Sequence, residues 1–128
     1  MNITDSASKV LIVDDEPNIV IALEFLLQQE GYLVAKAYHG AGALETVQSF
    51  LPDIVVLDVM MPGMDGFEVA RRMRNMPELD NVKIIFLTAK GTQRDKEAGY
   101  AVGAEYYMVK PFDNEVFVNT VNEIMAYG

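Results

Sequence analysis

Short, almost unbroken apolar runs alternate along this chain with longer segments of helical periodicity. KVLIV (Lys9 to Val13), YLVAKA (Tyr32 to Ala37), DIVVLD (Asp53 to Asp58), VKIIFLT (Val82 to Thr88) and EYYMVK (Glu105 to Lys110) have the length and composition of strands. Between the first two, Val20, Leu23 and Leu27 recur at helical spacing behind Pro17, which predicts a helix over 17–30 stopped by Gly31. Gly40 to Ser49 reads as a short alanine-rich helix ending before Leu51-Pro52. Asp65 with Glu68 three residues on makes a capping pattern for a helix with Phe67, Ala70 and Met73 on its core face. Residues 75–81, with Pro77, read as a loop. Gly91-Thr92 open a weaker helix over 93–102, and Asp113 can cap a last one in which Phe117, Val121 and Ile124 keep helical spacing.

Five strands alternating with five helices predict an α/β fold. Because the strands are continuous apolar runs, they predict a parallel sheet covered on both faces, joined by right-handed crossovers. No internal repeat or linker divides the chain. Residues 1–8 are polar and read as a loose tail ahead of one domain over 9–128.

Composition narrows the function. No apolar stretch nears the ~18 residues that span a bilayer, and the start lacks a signal-peptide pattern, which predicts a soluble, cytoplasmic protein. The absence of cysteine excludes disulfides, thiolate metal sites and a cysteine nucleophile. A net charge of −9 argues against nucleic-acid binding, which needs clustered Lys and Arg. The one dense basic group, Arg71 to Arg74, reads as a solvated helix face.

The chemistry lies where the strands end. The first ends in Asp14-Asp15, the third in Asp58, the fourth in Thr88 and the fifth in Lys110. Ligands of open α/β sheets bind outside the carboxyl ends of the strands, so these residues are expected at one edge. Carboxylates gathered there repel one another unless a hard divalent cation such as Mg²⁺ joins them. With that cation, a carboxylate can attack a phosphoryl donor and become an aspartyl phosphate. Asp58 is then the nucleophile, Lys110 the counter-ion and Thr88 the hydroxyl that senses the phosphate.

LIVDDEP, LDVMMPGMDGFEV, IIFLTAK and GAEYYMVKPF, in this order, resemble the receiver domain of two-component response regulators from about Lys9 to Met125. The resemblance implies a flavodoxin-like, doubly wound sheet of order 2-1-3-4-5. It also implies that Asp58 accepts the phosphoryl group and that Asp15, Asp58 and the Met60 backbone carbonyl ligate Mg²⁺, Asp14 acting through a water. Lys110-Pro111 is expected to be cis. Tyr107 matches the aromatic that turns inward when Thr88 is drawn to the phosphate, which moves a surface on the fourth helix, fifth strand and fifth helix. Such a chain is a switch rather than a metabolic enzyme, although it catalyses its own phosphorylation and dephosphorylation. Its implied partners are a histidine kinase or phosphotransfer protein, with Ile19 and Ala22 of the first helix as candidate contacts, and an effector or a second copy. Met60 and Lys90 flank the phosphate, and a methionine orients water poorly, so slow self-dephosphorylation is expected. Gly99 either loosens the fourth helix or permits close packing.

Two rivals share the fold or the chemistry. A haloacid dehalogenase-like phosphatase needs a second acid two residues after the nucleophile, where this chain has Met60. A pseudo-receiver that never takes phosphate would lack site residues that are intact here. Gly40 and Gly42 do not form a dinucleotide fingerprint, because Glu45 stands where a glycine is needed. His39 reads as an exposed loop residue, and most of the methionines as core or loop filling, Met60, Met61 and Met64 included.

Overall fold

A computed structural model describes residues 7–127; all but the last two positions of the polar start therefore lie outside the described residues. Ser8 already belongs to the sheet, since its carbonyl accepts the Leu33 N–H at 2.9 Å. The five strands are β1 (Lys9–Val13), β2 (Leu33–Ala37), β3 (Ile54–Leu57), β4 (Lys83–Thr88) and β5 (Tyr106–Val109), and they pair in parallel in the order β2-β1-β3-β4-β5. The helices are α1 (Pro17–Gln29), α2 (Gly40–Phe50), α3 (Gly66–Arg74), α4 (Gln93–Ala101) and α5 (Asn114–Tyr127).

Alternation along the strands sorts the core into two layers. Val10, Ile12, Ile54, Val56, Ile85, Leu87 and Met108 meet Val20, Leu23 and Leu27 of α1 and Phe117 and Val121 of α5. Their neighbours Leu11, Val13, Val55, Leu57, Ile84, Phe86 and Tyr107 meet α2 and α3 on the opposite face. Both faces of β1, β3 and β4 are thus dry, which is why these strands carry no polar residue between their first and last positions.

Local chemistry sets the helix ends. Pro17 occupies the first turn of α1. Asp65 caps α3 by accepting the Glu68 N–H at 2.9 Å, but the expected pair is only half made, because the Glu68 carboxylate turns to Arg71 and Arg72. The reciprocal capping box belongs instead to Thr92 and Asp95 of α4. Asp113 accepts the N–H groups of Glu115 and Val116 at the start of α5.

Three expectations are corrected. Residues 75–81 are not all loop: Pro77–Leu79 form a 3-10 turn that buries Leu79. The basic group is not one solvated face, since Arg74 donates to the carbonyls of Val82 (2.8 Å) and Gly103 (3.0 Å) and so ties α3 to the segments before β4 and β5. His39 is exposed but has a structural task, because its Nδ1 accepts the Gly42 N–H at 3.1 Å and caps α2.

Candidate functional site

Strand register brings the polar ends together. Val13 of β1 pairs with Leu57 of β3, and Leu57 with Phe86 of β4, so the residues just beyond them emerge side by side. Asp58 continues the ladder by donating its N–H to Val13 O at 2.9 Å, and Lys110 donates its N–H to Thr88 O at 2.8 Å. Gly66 closes the arrangement from outside. A Cβ there would stand 2.2 Å from the Asp58 carbonyl oxygen, so only glycine lets α3 begin this close to the end of β3.

Asp14 and Asp58 are 2 % and 4 % exposed, and Thr88 is fully buried. Lys110 Nζ reaches across to them, 2.7 Å from Asp14 Oδ2 and 3.7 Å from Asp58 Oδ2, with Glu16 Oε1 at 3.8 Å. Asp58 Oδ1 also accepts the Met60 N–H at 3.1 Å, and Asp14 Oδ1 accepts that of Glu16 at 2.9 Å. The Thr88 hydroxyl accepts the Lys90 N–H at 3.3 Å. The Lys110–Pro111 peptide bond is cis.

The electrostatics follow from this geometry. Burial pushes the Asp58 carboxyl above its ordinary value and the Asp14 charge adds to the shift, while the Met60 N–H, Lys110 and Thr88 oppose it only in part. Burial by itself would lower Lys110, but its hydrogen bond to Asp14 and the charges of Asp58, Asp14 and Glu16 outweigh this and hold the ammonium form. One lysine therefore serves a group of carboxylates that repel one another.

Asp15, Glu16, Asp58, Met60, Ala89 and Lys110 line a cleft of about 250 Å³. One carboxylate oxygen each from Asp14, Asp15 and Glu16 fall within 4.8 Å of one another. Carboxylates that a single lysine offsets only in part, offering oxygen ligands alone, fit a hard divalent cation. Sequence reasoning did not single out Glu16, although it continues the run of acids after β1; its carboxylate becomes relevant only once Lys110 folds back beside it. Met60, 54 % exposed, leans over the cleft mouth, whereas Met61 is buried.

Tyr107 stands apart from the cleft. Its ring is buried against Phe86 and its hydroxyl donates to Lys90 O at 2.6 Å, two residues beyond Thr88. On the other side of Lys110, Ile19 and Ala22 of α1 line a groove of about 560 Å³ with Pro111 and Phe112.

The site can be set beside known proteins. A family model described as the response regulator receiver domain matches residues 10–122. A protein from Chloroflexus aurantiacus J-10-fl, provisionally assigned as a response regulator, is 37 % identical over 94 % of this chain and 99 % of its own, with a TM-score of 0.88. The chemotaxis protein CheY4 of Vibrio cholerae is 35 % identical over 93 % of this chain and 99 % of its own, also at 0.88. The receiver domain of the Francisella response regulator 1452 is 28 % identical over 93 % and 97 %, at 0.86.

Proposed function

This chain belongs to the response regulator receiver family, and from that premise we propose that it is a phosphorylation switch in which Asp58 takes a phosphoryl group from a histidine kinase or phosphotransfer protein. The observation that carries the reading is the position of Asp58: a buried carboxylate, raised in pKa, facing a cleft that Lys110 also lines. An acid held there is costly to the fold and is rationalised by chemistry that uses it.

An Asp58 oxygen attacks the donor phosphorus, forming a P–O bond as the donor's bond to phosphorus breaks, and the electron pair leaves with the imidazole or acyl oxygen. The Met60 N–H fixes the carboxylate while β3, buried on both faces, prevents it from swinging away. Lys110 has its ammonium already in place and meets the charge of the arriving group. Thr88 presents its hydroxyl from the rigid end of β4. Asp14, Asp15, Asp58 and the Met60 carbonyl would hold Mg²⁺, with Glu16 beside them. When bound, that ion offsets negative charge on the transferred group.

The proposed read-out is a change of the α4-β5-α5 surface through Thr88 and Tyr107. It is supported by the short route Thr88–Lys90–Tyr107, two hydrogen bonds long. The groove at Ile19 and Ala22 adjoins Lys110, which supports docking of the phosphoryl donor over α1. No helix among the described residues is long and apolar enough to cross a membrane, consistent with a proposed cytoplasmic setting.

Acetyl phosphate with Mg²⁺ tests the reading. The expected result is a mass gain of one phosphoryl group on Asp58, lost in Asp58→Asn and absent when the metal is chelated. No mass gain would leave a pseudo-receiver, and steady turnover of phosphate esters would leave a phosphatase.

A further inference from the structure

Helix α4 buries little apolar surface; Gly99 is its one buried residue. Its hold on the sheet comes from close approach instead. A Cβ on Gly99 would lie 2.6 Å from Tyr107 Cδ2 and 3.2 Å from Phe86 Cδ2, so the Tyr107 ring fills the space a side chain there would take. At the other end of the segment, a Cβ on Gly91 would lie 2.9 Å from Val109 Cγ1. Tyr107 and Val109 alternate onto the same face of β5. The α4 segment thus rests on β5 at two positions without side chains.

The next residue adds a second tie. Tyr100 directs its hydroxyl back to β5, where it accepts the Tyr107 N–H at 3.2 Å. β5 is an edge strand, and an N–H at an edge otherwise faces solvent or an incoming strand. Tyr107 is therefore held at its ring by Gly99, at its backbone by Tyr100 and at its hydroxyl by Lys90.

We propose that Gly99 and Tyr100 are positioning residues that seat Tyr107 in the sheet-facing arrangement, so that α4 cannot shift on β5 without releasing the Tyr107 ring and amide and, through Lys90, the loop beside Thr88. The ring is seated on the sheet without a phosphoryl group, although the resemblance implied that it turns inward only when Thr88 is drawn to the phosphate. Only its link to Asp58 rests on the proposed phospho-acceptor role.

A side chain at position 99 and the Tyr107 ring would claim the same space, so the effects of changing the two must be coupled. Glycine in a helix costs stability relative to alanine, chiefly through backbone entropy. If Gly99 were an ordinary helix position, alanine would stabilise. Here alanine must expel the ring or lift the helix, and only removal of the ring should let the ordinary propensity gain appear.

The experiment is a double-mutant cycle on the whole chain without metal or phosphate. Gly99→Ala is expected to lower Tm in the wild-type background and to raise it in Tyr107→Ala. With fluorotyrosine labelling, Gly99→Ala should move the Tyr107 ¹⁹F signal towards its solvent-exposed position. Tyr100→Phe should leave that ring signal in place but speed exchange of the Tyr107 amide at least 10-fold. Gly99→Ala changing Tm by the same sign and amount in both backgrounds, or an unmoved Tyr107 signal, overturns the proposal. Beryllofluoride with Mg²⁺ is added last. Loss of its effect on the Tyr107 signal in Gly99→Ala but not in wild type supports the link to Asp58. No effect in wild type while the cycle stays coupled rejects the link to Asp58 and leaves the seating intact, whereas the phospho-acceptor reading itself falls only if acetyl phosphate adds no mass to Asp58.

Discussion

Lys110 Nζ sits 2.7 Å from the Asp14 carboxylate, a full hydrogen bond, although it also faces Asp58. In the resting protein the lysine is thus engaged by the neighbouring acid, and Asp58 keeps only a longer ion pair at 3.7 Å beside its bond from Met60. A phosphoryl group on Asp58 brings up to about two negative charges and strong acceptor oxygens. It can therefore draw the ammonium across without moving the backbone.

Asp58→Asn is expected to abolish phosphoryl uptake and at the same time to stabilise the metal-free protein at pH 7, by on the order of 1 kcal/mol. The sign follows from a carboxyl raised above its ordinary 3.8 by burial first and Asp14 second. The folded state then disfavours ionisation. The penalty is absent below the unfolded pKa, grows as pH rises towards the folded one, and is complete above it. Thermal melts across pH 3 to 8 should show the gain of the variant vanish at the acid end; a gain unchanged with pH contradicts the burial account.

Lys110→Ala removes the cation shared by Asp14 and Asp58. Leaving buried charge without its partner typically costs about 3 kcal/mol, so a clear drop in Tm is expected in chelator. Millimolar Mg²⁺ should restore part of it and raise Tm more in the variant than in wild type. Equal responses to Mg²⁺ would argue that the ion does not reach these carboxylates.

Tyr107 should titrate late among the tyrosines. Burial, with the charges of Asp95 and Asp58, pushes its phenol up to about 12 from 10.0. Because the folded value lies above the unfolded one, the neutral phenol contributes stability that is complete below pH 10 and is lost as pH rises towards 12. Ultraviolet absorbance titration should lose its last step in Tyr107→Phe, and that variant's stability should fall less steeply over this range.

Arg74→Ala separates structure from signalling. It breaks two charge-assisted bonds to the carbonyls of Val82 and Gly103, for a cost of about 1–3 kcal/mol in denaturant melts. Phosphoryl uptake at Asp58, far from this contact, should keep its wild-type rate.

The phosphoryl group, once on Asp58, is expected to be lost slowly. Met60, exposed at the cleft mouth, has no group to orient an attacking water. Met60→Asn supplies one and should shorten the lifetime several-fold in a release assay. Loss within seconds from the wild type would refute the role given to Met60.

The strands, helices and polar strand ends were legible in the sequence because each rests on spacing within a few residues. Buried strands must be apolar on both faces, so KVLIV, IVVL and KIIFLT announced themselves. The polar residues after them could then emerge only at the carboxyl edge. The short buried turn at Leu79, the capping by His39 and the engagement of Arg74 were not legible, since each depends on a partner the local pattern does not name.

By itself, then, the sequence determined the alternating parallel architecture and the set of groups delivered to one edge, because periodicity and side-chain chemistry are local. Tertiary structure alone decided how those groups share charge and space. It chose Asp14 as the hydrogen-bond partner of Lys110, 96 residues away, and set the Tyr107 ring in the gap at Gly99. Both outcomes turn on distances of a few ångströms between segments remote in the chain, which exist only once the sheet has formed and the helices have closed on it.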